Sequence, residues 1–204
     1  LYVLIQIPEG RFLDHFHGLN LIILYFYLNY SYLLVLVQLY YFHEIQKNIN
    51  SINTNNHNKI INFVGTMVDE WKQFNKACKE NNITFIHYGG YSGKNISSKE
   101  NIKLIQQSYI APSIQRQQQC DVGYIPCRIF KNISYGKMGF TNSQVVYELF
   151  DNKIIYNPCS YKLFYDAKNW IENEYDEKCI SDLMNIVKKK HTYLNRIQNL
   201  FDLH

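Results

Sequence analysis

The chain has 204 residues and a formal net charge of +4, with 47% hydrophobic and 19% charged residues. This composition favours a packed core and argues against a disordered chain. The small net charge, without a basic stripe interleaved with aromatic residues, argues against a nucleic-acid-binding protein. The five cysteines include no C-x-x-C pair, so neither a disulfide framework nor a zinc site is predicted. A reducing, cytoplasmic compartment is therefore expected.

The first 45 residues are strongly apolar, and the stretch 20–42 contains no charged side chain. We expect 19–42 to be helical. Its length suits a membrane span, so membrane association through 19–42 stays open. Interrupting polar residues such as Asn29 and Gln38 suit instead the buried remnant of an otherwise missing domain, and a degenerate leader is a third alternative. The Asn-rich stretch 46–58 is predicted to be a linker.

From Lys59 onward, short apolar runs alternate with helical patterns. Such alternation requires crossover connections and predicts a Rossmann-like, doubly wound parallel sheet of about five strands within a domain at 59–178. The tail at 179–204 is predicted to form one or two helices with an apolar face. The five strands are expected near 60–64, 83–88, 108–112, 138–141 and 153–156.

Ligands of open α/β sheets bind beyond the carboxyl ends of the strands. A helix that could border such a ligand site begins at Pro126, because proline suits the first residue of a helix. The free N–H groups and the dipole at a helix N-terminus favour an anion. Arg128 in the first turn and Lys131 one turn later add positive charge. This pattern fits a phosphate-binding site, although two surface cations on an ordinary helix are the alternative interpretation.

The next strand end repeats this pattern with Thr141, Asn142 and Ser143, which offer two hydroxyls and an amide before another helical pattern. Two neighbouring sites of this kind suit a diphosphate. The alternative is that Ser143 only caps its helix. His87, at the end of the second predicted strand, also has two interpretations, packing or catalysis.

The sequence of residues 123–150, "GYIPCRIFKNISYGKMGFTNSQVVYELF", resembles the C-terminal, donor-binding domain of GT-B glycosyltransferases. In that family a helix with the pattern P-x-R/K-x-x-E-x-x-x-x-G precedes a strand and another helix. The runs "INFVGT", "FIHYGGYSG" and "SYIAPSI" resemble strand ends of the same domain, so the resemblance covers about 59–170. Many members carry two glutamates eight residues apart, where this chain has Gly123 and Lys131.

The resemblance implies that the chain binds a nucleotide-sugar and, if it is complete, transfers the sugar to an acceptor hydroxyl on a glycan, lipid or protein. Arg128 and helix N-termini would stabilise the leaving diphosphate. No Asp-x-Asp motif occurs, so neither a metal nor another cofactor is expected. No catalytic residue is assigned. The residues implicated in donor binding are Tyr124, Ile125, Arg128, Lys131, Thr141, Asn142 and Ser143.

GT-B enzymes also contain an N-terminal acceptor-binding domain, for which residues 1–58 are too few. The chain is therefore expected to be a fragment that corresponds to the donor-binding half. The alternative is a non-catalytic or truncated Rossmann-like binding module.

Overall fold

The computed structural model describes residues 59–89, 96–192 and Asn195, which belong to the compact unit Ile45–His204. The apolar stretch 19–42 and the predicted linker at 46–58 lie outside these residues. The described strands are β1 (Ile60–Val64), β2 (Thr84–Tyr88), β3 (Phe140–Thr141) and β4 (Ile155–Tyr156). The described helices are α1 (Glu70–Glu80), α2 (Ser98–Gln107), α3 (Gln117–Asp121), α4 (Cys127–Ser134), α5 (Gln144–Leu149), α6 (Ser160–Asn173) and α7 (Glu177–Lys190).

The fold class is α/β, and the strands form two parallel pairs, β1 with β2 and β3 with β4. Helices cover both faces of β1. The ring of Phe63 packs on Trp71 of α1, with the centroids 3.9 Å apart. The side chain of the preceding residue, Asn62, instead donates a hydrogen bond to Leu104 O of α2 at 3.0 Å. Since successive strand residues point to opposite faces, α1 and α2 lie on opposite sides of β1.

The predicted third strand at 108–112 is not formed, so the described residues contain two strand pairs rather than one sheet of five strands. The segment 108–113 nevertheless lies between the pairs and contacts both. Tyr109 N–H donates to Ile60 O of β1 at 2.7 Å, and Ser113 N–H donates to Phe140 O of β3 at 2.8 Å. The spatial order is therefore β2, β1, this segment, β3, β4.

Side chains take the place of strand partners along this segment. Lys137 Nζ donates to Ser108 O at 2.5 Å, and Asn132 Nδ2 donates to Ala111 O at 2.6 Å. Pro112 has no N–H to give to a neighbouring strand. A regular ladder of backbone hydrogen bonds cannot form here, because the carbonyls of Ser108 and Ala111 already accept from side chains and Pro112 has no N–H to donate.

The C-terminal helical prediction corresponds to α7, which packs against α4, while α6 packs against α1. The apolar side of α7 is buried, as its spacing predicted. None of the helices within the described residues has both the length and the apolar character needed to cross a membrane. The buried residues of α7 are Ile180, Leu183, Met184 and Val187.

Candidate functional site

The side chain of Arg128 reaches from the first turn of α4 to the carboxyl end of β1. Its Nη2 donates to Val64 O at 3.2 Å, and its guanidinium lies over the ring of Phe63, 4.3 Å from the centroid. Gly65 follows β1 with a φ of +141°, a conformation that favours glycine. A Cβ at Gly65 would collide with Arg128 Nη2. The missing side chain of Gly65 therefore allows the guanidinium to lie against the strand end.

Arg128 is partly buried, and among the described residues it has no carboxylate partner. Burial lowers its pKa to about 10, because removal from water disfavours the charged form. A guanidinium has five N–H donors, and Val64 O accepts from Nη2 only. A desolvated cation with free donors and no counter-ion favours the approach of an anion.

His87 on β2 brings a second basic side chain to the same place. Its Nε2 lies 2.6 Å from Gly65 O. A carbonyl oxygen only accepts, so Nε2 carries the hydrogen. The rings of His87 and Phe63 stack with their centroids 5.5 Å apart. Phe63, Gly65, His87 and Arg128 are called the β1-end site below.

The other residues predicted on the first helix lie near Arg128 but make no described contact with β1. Pro126 is the residue that precedes α4 rather than its first helical residue, because its φ and ψ are −76° and 141°. Tyr124 and Ile125, in the loop before it, are 50% and 36% exposed. Lys131 is exposed on α4. Of this group, Arg128 is the residue that the fold directs onto a strand end.

The residues predicted on the second strand end lie elsewhere and are buried. Thr141 ends β3, and Asn142 and Ser143 follow it; the segment 108–113 separates β3 from β1. Thr141 Oγ1 accepts from Ser143 N–H at 3.1 Å. The Asn142 amide accepts from Gln115 N–H and donates to Gln115 O, both at 2.9 Å.

This arrangement does not reproduce the predicted pair of adjacent anion-binding helix ends. Ser143 precedes α5, but its side chain makes no capping bond, and α5 has only six residues. Asn142 holds two stretches of chain together, so its amide is already committed. The structure thus places the Arg128 guanidinium at the carboxyl end of β1. At the end of β3 it places the Asn142 amide, which is bonded to another segment of the chain.

The sequence interpretation assigned no binding role to two residues in this region, Glu70 and Gln115. Gln115 is only 2% exposed, and Glu70 Oε1 accepts from Gln117 N–H at 2.9 Å. Gln115 directly follows the apolar run "SYIAPSI", which marked its position near a strand end. Nothing in the sequence indicated that its amide would be buried.

Within the described ranges, no group of three or more His, Cys, Asp or Glu side chains is placed to hold a metal ion. The cysteines at 78, 120, 127, 159 and 179 are free thiols. Comparisons of the chain with known protein families, with curated proteins and with solved structures found no match. The function is therefore inferred from the geometry of the strand ends.

Proposed function

We propose that this domain binds the diphosphate of a nucleotide-sugar at the β1-end site. In this proposal the chain is the donor-binding half of a GT-B-type glycosyltransferase, which transfers the sugar to an acceptor hydroxyl. The observation that carries the proposal is the Arg128 guanidinium, which lies partly buried on the carboxyl end of a parallel strand without a carboxylate partner among the described residues.

The order of the chain segments supports the finer fold assignment. The order β2, β1, segment 108–113, β3, β4 is that of a doubly wound parallel sheet in which the middle segment is irregular. In a doubly wound sheet of this order, the helices that follow β1 and the segment 108–113 lie on opposite faces, and a ligand crevice is expected between the two carboxyl ends. Arg128 contacts β1 at this edge.

The chemistry of the β1-end site suits a diphosphate. Arg128 presents a planar set of donors that can bind two phosphate oxygens together. The ring of His87 stacks on Phe63 at the same strand end, and the missing side chain of Gly65 lets the guanidinium lie there. Exposed Tyr124 and Ile125 give an apolar surface near Arg128 that suits a nucleobase.

Calorimetric titration of the full chain with UDP and with GDP tests the proposal. Binding of at least one of them is expected, and Arg128→Ala should weaken it roughly tenfold to a hundredfold. A charge-assisted hydrogen bond contributes about 1.5–3 kcal/mol, and about 1.4 kcal/mol corresponds to a tenfold change in affinity. Arg128→Lys should restore part of the loss, since an ammonium keeps the charge but not the paired donors.

Lys189→Ala on the exposed side of α7 is the control and should leave the affinity unchanged. Equal binding by wild type and Arg128→Ala, or no binding of either nucleotide, contradicts the donor-site assignment. Release of nucleoside diphosphate from a bound nucleotide-sugar then measures catalysis. Binding without release would favour the non-catalytic module.

A further inference from the structure

The β1-end site is open to solvent on the side of His87. The His87 side chain is exposed, whereas Phe63 is buried and Arg128 is half-buried. In the pairing of β1 with β2, His87 is the partner of Phe63, so both side chains point to the same face of the sheet. Thr66, which follows Gly65, is also exposed. A ligand in solution can therefore reach the imidazole.

Two shared contacts bring His87 and Arg128 together. Arg128 Nη2 and His87 Nε2 donate to the carbonyl oxygens of two consecutive residues, Val64 and Gly65, at 3.2 and 2.6 Å. Both side chains also pack on Phe63, with the guanidinium 4.3 Å and the imidazole centroid 5.5 Å from the centre of its ring. The two basic groups are therefore no more than about 10 Å apart, which is the screening length in 0.1 M salt. An anion at the end of β1 lies within the electrostatic reach of both.

The bond from His87 to Gly65 determines how the ring takes up a second proton. Since a carbonyl oxygen only accepts, the neutral ring carries its hydrogen on Nε2 and keeps Nδ1 as the basic nitrogen. Within the described part of the chain, Nδ1 has no hydrogen-bond partner. Protonation of Nδ1 preserves the bond to Gly65 O and gives a cation that donates from both nitrogens. The charge therefore changes without any movement of the ring.

The surroundings of His87 provide a positive charge but no negative one. Arg128 of α4 repels a second cation. β1 has no titratable side chain, and Tyr88 of β2 points to the opposite face of the sheet. Among the described residues no carboxylate forms an ion pair with His87. The acidic residues at the start of α1 have other partners, which are Lys72 for Asp69 and the backbone N–H of Gln117 for Glu70. A bound phosphate would supply the missing counter-charge.

We propose that His87 is the second phosphate-binding side chain of the β1-end site and that it acts as the imidazolium, so that ligand binding takes up a proton. The Nδ1–H group and the free N–H groups of Arg128 then donate to oxygens of the same diphosphate. Because a proton is taken up, affinity rises as the pH falls through the range in which imidazoles become charged. The nucleotide as ligand rests on the proposed function, whereas the preference for an anion follows from the two basic side chains.

Calorimetric titration of the full chain with UDP and with GDP, from about pH 8.5 to about pH 5.5, tests this proposal. His87→Gln keeps an N–H group that can donate to Gly65 O but never carries a charge. The terminal phosphate of each nucleotide also titrates in this range, so the quantity to compare is the affinity of wild type relative to His87→Gln. This ratio should be close to one at the alkaline end and should rise about threefold to tenfold at the acid end.

Two further variants test the charge and its position. His87→Lys is charged throughout the pH series, so its affinity relative to His87→Gln should be raised at every pH and should vary little. Thr84→His, added to His87→Gln, places an imidazole at the exposed amino end of β2 and should not restore the pH dependence. A ratio of wild type to His87→Gln that stays constant with pH overturns the role of His87 and leaves the proposed function intact.

Inorganic pyrophosphate separates this inference from the proposed function. If neither UDP nor GDP binds, the proposed function fails, and the same pH series with pyrophosphate decides the role of His87. Pyrophosphate binding with a ratio that rises toward acid pH supports that role. Absence of pyrophosphate binding, or a constant ratio, overturns it.

Proton uptake gives a second measurement of the same proposal. Binding enthalpies measured in MES and in bis-Tris at about pH 6.3 yield the number of protons taken up with the ligand. Wild type should take up more protons than His87→Gln, because the imidazole is charged only in the complex. Equal uptake by the two proteins contradicts the proposal.

Discussion

Arg128 and Lys137 make an instructive comparison, because they are partly buried cations at the two ends of the same helix. Arg128 lies in the first turn of α4, and Lys137 lies shortly after its last residue. Each donates to one backbone carbonyl of a neighbouring segment, Val64 O for Arg128 and Ser108 O for Lys137. Burial lowers the pKa of Arg128 to about 10 and that of Lys137 to about 8.

The two cations differ in what surrounds them. Lys137 contacts the carbonyl of Ser108, the residue directly after the C-terminal end of α2, where the helix dipole already favours positive charge. The guanidinium of Arg128 lies at the carboxyl end of β1 beside Gly65, and only one of its N–H groups donates to Val64 O. A buried cation at a helix C-terminus is thus satisfied by the fold, whereas one at the carboxyl end of a parallel strand is available to a ligand.

The largest expected effect comes from adding a methyl group beside Arg128. Gly65→Ala places a Cβ against Nη2 and should displace the guanidinium. Nucleotide affinity should then fall on the order of tenfold to a hundredfold, as for Arg128→Ala. The double variant should lose little more than either single variant, because both remove the same interaction. Calorimetric titration with UDP and GDP measures the affinities of the two single variants and the double variant.

The control for this change lies at the other end of α4. Gly136 also has a positive φ, of 80°, next to Lys137. Gly136→Ala and Gly65→Ala should each lose about 1–3 kcal/mol of stability through backbone strain. Only Gly65→Ala should lose nucleotide binding. Equal affinities for the two variants would remove the distinction between the two ends of the helix.

A smaller effect, on stability, is expected from Lys137→Met. Burial lowers the pKa of Lys137 to about 8 from its ordinary 10.5, so between these values the unfolded chain holds more protons than the folded chain. The contribution of this residue to stability therefore rises with pH over that interval. The free energy of unfolding of wild type relative to Lys137→Met should rise by about 1–3 kcal/mol from about pH 8 to about pH 10.

Urea denaturation at a series of pH values measures this difference. Lys189→Met, on the exposed side of α7, is the matched control and should give a curve parallel to wild type. A constant difference between wild type and Lys137→Met would mean that Lys137 is not desolvated. Nucleotide affinity at neutral pH should be unchanged in Lys137→Met, because its ammonium contacts the opposite edge of the strands.

The smallest expected effect is that of Lys131→Ala. Lys131 is exposed one turn after Arg128, where water and salt screen its charge. An exposed ionic interaction contributes about 0–1 kcal/mol, so the affinity for UDP or GDP should fall less than about fivefold. A loss as large as that of Arg128→Ala would place the phosphates on the outer surface of α4 rather than at the β1 end.

The first half of the domain followed its sequence pattern closely. β1 occupies the predicted 60–64, and β2 begins one residue later than predicted, after a turn in which Asn82 has a φ of 56°. Ser97 precedes α2 and its Oγ accepts from Glu100 N–H, as a capping residue does. Residues that are close together in sequence determine where these elements begin and end, so the sequence pattern was enough to predict them.

The prediction of a third strand was wrong because of contacts distant in sequence. The segment 108–113 has the composition of a buried strand, but its carbonyls bond to Asn132 and Lys137, which lie about twenty to thirty residues later. The amide of Asn142, for which donor binding was predicted, bonds to Gln115, a contact that its place in the sequence did not indicate. Arg128 was identified from its place in the helix, whereas its contact with Phe63 could not be predicted locally.

The hydrogen bonds of Asn142 also bear on the chemical ageing of the protein. An asparagine followed by serine loses its amide when the next backbone nitrogen attacks the side chain, and the product is a carboxylate. Here that nitrogen, Ser143 N, is turned toward Thr141 Oγ1 by its own hydrogen bond. The change would keep an acceptor for Gln115 N–H but set a negative oxygen against Gln115 O. One slow reaction at a single buried side chain would thus remove one of the two hydrogen bonds between Asn142 and Gln115 and leave the backbone bond from Ser113 N–H to Phe140 O in place.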